Sequence, residues 1–280
     1  MIRKVFLNVL ISAVLLALLV PQTQAVVGQS RIRFVTPNGS GDCTSWSNSC
    51  SLQAALTGAV VGDELWVAAG TYTPTTGADR TATFQLAYGV EVYGGFAGTE
   101  TNRDERDPTT NLTVLSGDID NNDSQQPVIT DLKTVSGNQT NSYHVVTGAS
   151  GSILDGFTIT AGYSGGSYPD DTGAGLVNNS ANPTLSNLII IGNMAVHSGG
   201  GMRNESSNPN LSSVDFISNS AVMSGAGMYN LYSSPILSNV TFDNNWTDIE
   251  GGGGGMSNLS NSSPSLTAVI FNNNSAQSGG

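Results

Sequence analysis

From residue 182 onward the chain repeats one short alternation of apolar and polar positions. Four copies align as Pro183-Thr-Leu-Ser-Asn-Leu-Ile-Ile-Ile-Gly-Asn193, Pro209-Asn-Leu-Ser-Ser-Val-Asp-Phe-Ile-Ser-Asn219, Pro235-Ile-Leu-Ser-Asn-Val-Thr-Phe-Asp-Asn-Asn245 and Pro264-Ser-Leu-Thr-Ala-Val-Ile-Phe-Asn-Asn-Asn274. The prolines step by 26, 26 and 29 residues, and a fixed period of this size marks a solenoid. Leu211, Val214 and Phe216 recur as Leu237, Val240, Phe242 and as Leu266, Val269, Phe271. The Val-x-Phe step has period two, the mark of a strand with one buried face. A helix is excluded because each run is short and bounded by Pro, Gly, Ser and Asn, which favour turns. Two short strands and their turns fit into 26 residues, with room for a third. One circuit per repeat sets each strand beside its own copy, roughly 4.8 Å further on, so hydrogen bonding runs between coils, parallel and in register. The pattern predicts an all-β solenoid, a parallel β-helix.

That reading gives the recurring positions their roles. Phe216, Phe242 and Phe271 stack inside, with Ile190 in the same row of the first copy. A second pattern, Gly175-Leu-Val-Asn178, Gly201-Met-Arg-Asn204, Gly227-Met-Tyr-Asn230 and Gly255-Met-Ser-Asn258, predicts an inward row of Met202, Met228 and Met256 headed by Leu176. Asn193, Asn219, Asn245 and Asn274 follow the strand where the chain turns; Asn tolerates left-handed backbone, and stacked amides can bond into a ladder. Asn178, Asn204, Asn230 and Asn258 predict another ladder. The glycine clusters at 199–201, 225–227 and 251–255 allow positive φ and close approach of coils. A phosphate-cradling loop would need a strand, a helix start and a defined glycine spacing, and these are missing.

The Phe-x-x-Asn followed by Gly-Gly-Gly-Met is similar to the paired motifs of the polymorphic outer-membrane protein family, where the Met position usually holds a small aliphatic residue. It resembles more closely the secreted bacterial right-handed β-helix proteins with varied C-terminal anchors, the choice-of-anchor group. Gly62-Asp-Glu-Leu-Trp-Val-Ala-Ala-Gly-Thr-Tyr72 resembles the opening coil of the pectin-lyase-like superfamily. These resemblances imply a right-handed helix, export and placement outside the cell or on the outer membrane. They imply little about activity.

Ahead of the coils, Arg3 and Lys4 precede an apolar run over residues 5–20, then Pro21 and Thr23-Gln24-Ala25, the form of a cleavable export signal over residues 1–25. A retained anchor is the other reading, but the run is short of the roughly 20 residues a span needs. Removal of the segment leaves seven basic against 21 acidic residues, a net charge near −14. So acidic a chain excludes nucleic acid and anionic membrane surfaces as partners, since both select Lys and Arg. It suits calcium, a neutral glycan or plain solubility. Nothing later in the sequence could span a bilayer. Cys43 and Cys50 are the only cysteines, and in an exported protein they predict a disulfide stapling a short loop. Residues 51–59 read as a short amphipathic helix, placed to cap the first coil. The expected organisation is a signal over 1–25, a cap and irregular first coils over 26–150, and regular coils over 151–280. Because the sequence stops within a glycine turn, further coils, an anchor or a covering partner are expected beyond residue 280.

The chemistry is sparse. Lyase action on uronates needs a basic residue to take the α-proton; beyond Lys133 only Arg203 remains, and its alternation with Met202 predicts that it points to solvent. Glycoside hydrolysis needs two carboxyl groups at roughly 5 to 9.5 Å. Asp243, Asp248 and Glu250 are the catalytic candidates, with Asp215 on the coil before, against their reading as solvated surface carboxylates. His144 and His197 have no partners in sequence that would make a nucleophilic triad. Asp118, Asp120 and Asn122 have the alternating oxygen ligands of a calcium loop, without its glycine at the sixth position or its glutamate at the twelfth, so a surface turn is the alternative. No other cofactor is implied. The expected function is a non-catalytic, exported scaffold of adhesin type, meeting a glycan or a host or neighbouring surface. The alternative is a carbohydrate-active enzyme (a polysaccharide lyase or glycoside hydrolase) or a glycan-binding module.

Overall fold

The computed structural model describes residues 31–248 and 251–277. The export signal expected at 1–25 and the carboxylate of Glu250 lie outside the described residues. The chain is an all-β parallel solenoid of about nine turns. Its described strands form three sheets of 11, 6 and 4 strands, and every strand pairing is parallel. The longest sheet runs from Ile32–Val35 through Glu64–Ala68, Glu91–Phe96 and Ile153–Asp155 to Thr184–Ile191, Asn210–Ile217, Ile236–Asp243 and Ser265–Asn272. The third sheet, for which the repeat length left room, is built of two-residue strands such as Met194–Ala195 and Trp246–Thr247.

The registers follow the repeat. Ile159 pairs with Ile190, then Phe216, Phe242 and Phe271 in one row. The three rings stack nearly parallel, with centroids 4.7 and 4.9 Å apart. Leu176, Met202, Met228 and Met256 form the second inward row. Between Leu211 and Val214 the apolar spacing is three rather than two, which strict alternation would not allow. Ser213 resolves it by adopting left-handed backbone, as do Asn187, Asn239 and Ala268 at the same place in their coils. This turns the strand through a corner, so the leucine before it and the valine after it both face inward and are fully buried in the middle coils.

Both amide ladders form. Asn193, Asn219, Asn245 and Asn274 bond in series at 2.9–3.1 Å, and Asn178, Asn204, Asn230 and Asn258 at 2.8 Å. One detail differs from the sequence expectation: the left-handed residue at that turn is the one before the ladder, Gly192, Ser218, Asn244 or Asn273, and not the ladder Asn itself. The ladder residue is instead held by what it bonds. Asn219, for example, donates to the carbonyl of Ile190 at 2.8 Å, so its amide tethers the preceding coil. At Gly227 a Cβ would lie 2.4 Å from the carbonyl oxygen of Gly255, so only glycine lets the coils approach there.

At the N-terminal end Cys43 and Cys50 are disulfide-bonded. The capping helix is Leu52–Gly58; Ser51 caps it by accepting from Ala54 N–H, and Leu52, Ala55 and Leu56 are buried against the first coils. No helix among the described residues is long and apolar enough to cross a membrane.

Candidate functional site

Two regions hold the residues that could carry function. On the regular coils the outward positions mix short polar residues with exposed isoleucines, among them Ile189, Ile236 and Ile270. Ser186, Ser212, Ser238 and Thr267 stand in one row on four successive strands. Beside them Asn239 donates to Ser213 Oγ at 3.1 Å. Asp243, half-buried, accepts from the amides of Asn272 and Asn273 at 3.0 and 3.2 Å. Asp248 is exposed, and its backbone N–H bonds the Ala221 carbonyl. Asp215 pairs in register with Thr241, two positions off the row of Asp243, whose partner on that strand is Ile217. Asp215 and Asp243 thus stand on one face of neighbouring strands, and Asp243 is engaged there by two amides.

Arg203 does not point to solvent. It leaves the sheet outward, as its alternation requires, but only 5 % of it is exposed. Its guanidinium bonds Glu205 at 2.7 Å and lies 5.5 Å from the centre of the Tyr168 ring, which the 165–172 loop folds over it. Within the same loop Asp170 stands 3.5 Å from Nε2 of His144, while Nδ1 of that ring faces the Gly173 carbonyl at 3.0 Å. Burial holds the His144 imidazole below its ordinary pKa, against the opposing effect of the Gly173 carbonyl and Asp170. His197 is exposed and bonded to Ser198.

The second region is the flank of the irregular coils. After strand Thr113–Ser116 the chain leaves the solenoid and returns at Ser142, with one short 3-10 turn, Asn138–Thr140, on the way. The excursion is braced from within. Gln125 accepts from the N–H groups of Thr130 and Asp131, and Ser124 N–H donates to the Ser136 carbonyl. It is also docked on later coils: Ile129 is fully buried and donates its N–H to Thr160 Oγ1, and Lys133 lies 5.4 Å from the Trp246 ring centre.

Under the excursion is a cavity of about 140 Å³ lined by Thr71, Thr73, Ser116, Asp118, Asp123 and Gln126 among others, with no basic residue on its walls. Along the 71–80 segment a cavity of about 400 Å³ shares Thr71 and Thr73 with it, and one of about 340 Å³ shares Thr76 with that second cavity in turn. Together they make a furrow between that segment and the excursion. Asp118 and Asp123 are each only 6 % exposed. Asp118 accepts from Asn122 N–H, Asp123 N–H and the Gln126 amide. Asp123 accepts from Asn141 through one oxygen, and its other oxygen, buried, has no partner. Burial pushes the Asp123 carboxyl up to about 6; the Asn141 amide opposes this and the charges of Asp118 and Asp120 add to it. Asp118 is raised for the same first reason, burial, against the N–H groups of Asn122 and Asp123.

Of the three residues expected to hold calcium, Asp118 alone lines this cavity. Asp120 and Asn122 are exposed and bonded to each other at 2.7 Å. The residue that joins Asp118 is Asp123. Alternation by two passed over it because the turn at Asn121, in left-handed backbone, shifts the phase by one. No group of three or more His, Cys, Asp or Glu among the described residues is arranged to hold a metal.

No family model matches the chain, and no curated protein does. Among solved structures, one described as the crystal structure of pectate lyase Pel9A is similar at 15 % identity and a TM-score of 0.38, the match covering 81 % of this chain and 60 % of that one. This chain thus spans less than two thirds of that structure's length. The fold described above rests on its own strand pairings.

Proposed function

We propose that the chain is the ligand-presenting solenoid of an exported, surface-associated, non-catalytic scaffold, and that its partner is an extended glycan or a glycan-bearing surface. The observation that carries this is the in-register row of hydroxyls, Ser186, Ser212, Ser238 and Thr267, on the outer face of four successive coils. Such a row repeats one weak hydrogen-bonding contact at a spacing of roughly 4.8 Å, so that a polymer lying along the solenoid axis meets many equivalent sites. The carboxylates nearby suit binding better than catalysis, because Asp243 is occupied by two amides and Asp248 faces water. Export and surface placement rest on the form of residues 1–25 and on the resemblance of the repeats.

The test is a panel of neutral and acidic polysaccharides, read both for retention of the protein and for depolymerisation. We expect retention without product, weakened at least tenfold when Ser212 and Ser238 are both replaced by Glu. Reproducible depolymerisation that disappears in the D243A, D248A and E250A triple variant would overturn the reading. A second reading, glycan binding or processing in the flank furrow, is favoured by the buried acid pair Asp118 and Asp123; depolymerisation lost in D118N or D123N would select it.

A further inference from the structure

An ionised carboxylate taken out of water is strongly disfavoured unless it is paired or coordinates a metal. Asp63 obeys this rule in the same half of the molecule: it is fully buried, and it accepts from Arg33 at 2.9 Å and from the N–H groups of Arg31 and Val60. Asp123 breaks it. It is as good as buried, its nearest ionisable neighbours are the acids Asp118 and Asp120, and one of its oxygens is left without any donor. The walls of its cavity supply further oxygens. Ser116 Oγ is there, accepting only from the Asp118 N–H in the bonds described, and so are the hydroxyls of Thr71 and Thr73 and the side-chain carbonyl of Gln126. A carboxylate has about four lone-pair directions, so Asp118, with three donors, keeps one direction free.

We propose that this niche is a calcium site, in which Asp118 and Asp123 supply the two negative charges and neutral oxygens and water complete the shell. The donor set is all oxygen, which selects a hard cation and excludes zinc or copper. It is also irregular, drawn from a strand end, a turn and a loop. Such a shell suits calcium, which takes 6–8 oxygens in flexible geometry, better than magnesium, which demands a near-ideal octahedron. The ion would clamp the 117–142 excursion onto the solenoid, because Asp118 leaves the last strand while Asp123 is tied to the returning chain through Asn141. This assignment is independent of whether the outer face binds glycan.

The test uses the full chain, freed of metal by a chelator, then titrated with calcium chloride near neutral pH. Calcium is expected to raise the melting temperature and to slow tryptic cleavage after Lys133, which is exposed within the excursion. At calcium ten times its dissociation constant, local opening and hence cleavage should fall about tenfold. D123N should lose both responses while the metal-free protein melts no lower than wild type, since the substitution removes an uncompensated charge and keeps the shape. D120N, in an exposed residue outside the cavity, should keep both. The proposal is overturned if millimolar calcium leaves the wild type unchanged, or if the responses survive in D123N.

Discussion

In the regular coils Asn219 lies between Asn193 and Asn245, each amide bonded to the next, and Phe242 lies between two more phenylalanines. In the first coils such twins are few; Glu64 in register with Glu91 is one, each accepting from the aromatic residue two positions on. There the strands are held by contacts that occur once: the Cys43–Cys50 bridge, the buried pair of Asp63 with Arg33, and an aromatic cluster outside the solenoid core in which Trp66 stacks on Phe96 at 4.9 Å with Phe34 and Trp46 at its edges. Arg103 adds a bridge from the 97–112 loop to Glu64, Glu91 and the Tyr93 hydroxyl. The two halves share a backbone plan and differ in how specificity is written. Repetition stabilises a coil by its likeness to its neighbours, as in other repeat proteins. The singular contacts of the first coils free their loops to differ, and the cavities are found there.

The sharpest way to break this comparison is to remove one rung. Asn219→Ala deletes four hydrogen bonds, from Asn193 N–H, from the Asn193 amide, to the Ile190 carbonyl and to the Asn245 amide oxygen. Each buried group left unpaired costs about 1–3 kcal/mol, so a loss of about 5 kcal/mol is expected in urea unfolding. The pair Asn193→Ala with Asn219→Ala should cost less than the sum of the singles, since the two share bonds. A loss under about 1 kcal/mol for the single variant would mean that the ladder follows the coils and does not hold them.

Next in size is Asp63→Asn. Breaking a buried ion pair from one side costs about 3–5 kcal/mol, and here the new amide would also set donors against the N–H groups of Val60 or Arg31. The retained oxygen offsets part of this, so about 3 kcal/mol is expected. The loss should be local. Arg33 also bonds the Gly58 carbonyl at the end of the capping helix, so amide exchange should rise in residues 31–68 and stay slow in the Asn-ladder coils. Equal acceleration in both halves would show one cooperative unit and erase the distinction.

The difference between the halves also decides what could be read from the chain before any coordinates. Rows and ladders were legible because four copies put the same residue at the same place, so Phe216 and Asn219 explained one another. The corner at Ser213 was not, because left-handed backbone in a serine has no strong sequence mark and only the three-residue gap between Leu211 and Val214 hints at it. Arg203 was misplaced for a related reason. Alternation gives the direction in which a side chain leaves the sheet, and it says nothing of the Tyr168 loop that later covers it. The acid pair was half seen: Asp118 stood out in its Asp-rich run, but Asp123 joins it only through a turn and through Asn141, 18 residues on.

The smallest expected effect isolates the irregular half by its response to acid. Asp123 holds its proton up to about pH 6 in the folded chain, burial being the main cause, against an unfolded value near 3.8. A group that binds its proton more tightly when folded stabilises the fold while protonated; that contribution is complete below the unfolded value and is lost as pH rises to the folded one. In chelator, therefore, wild type should lose stability relative to Asp123→Asn between about pH 4 and 6, by at most about 3 kcal/mol in total, and the difference should be flat above. Carboxylates shifted the other way, such as Asp107, held down to about 2 by the hydroxyls and N–H groups of Thr109 and Thr110, are common to both proteins and cancel. The same scan on Asn219→Ala should run parallel to wild type at every pH, because the ladder holds only neutral amides. If instead its offset from wild type tracked the titration of Asp123, the two halves would be coupled through the excursion that crosses from one to the other, and Ile129 on Gly192 would be the contact to cut.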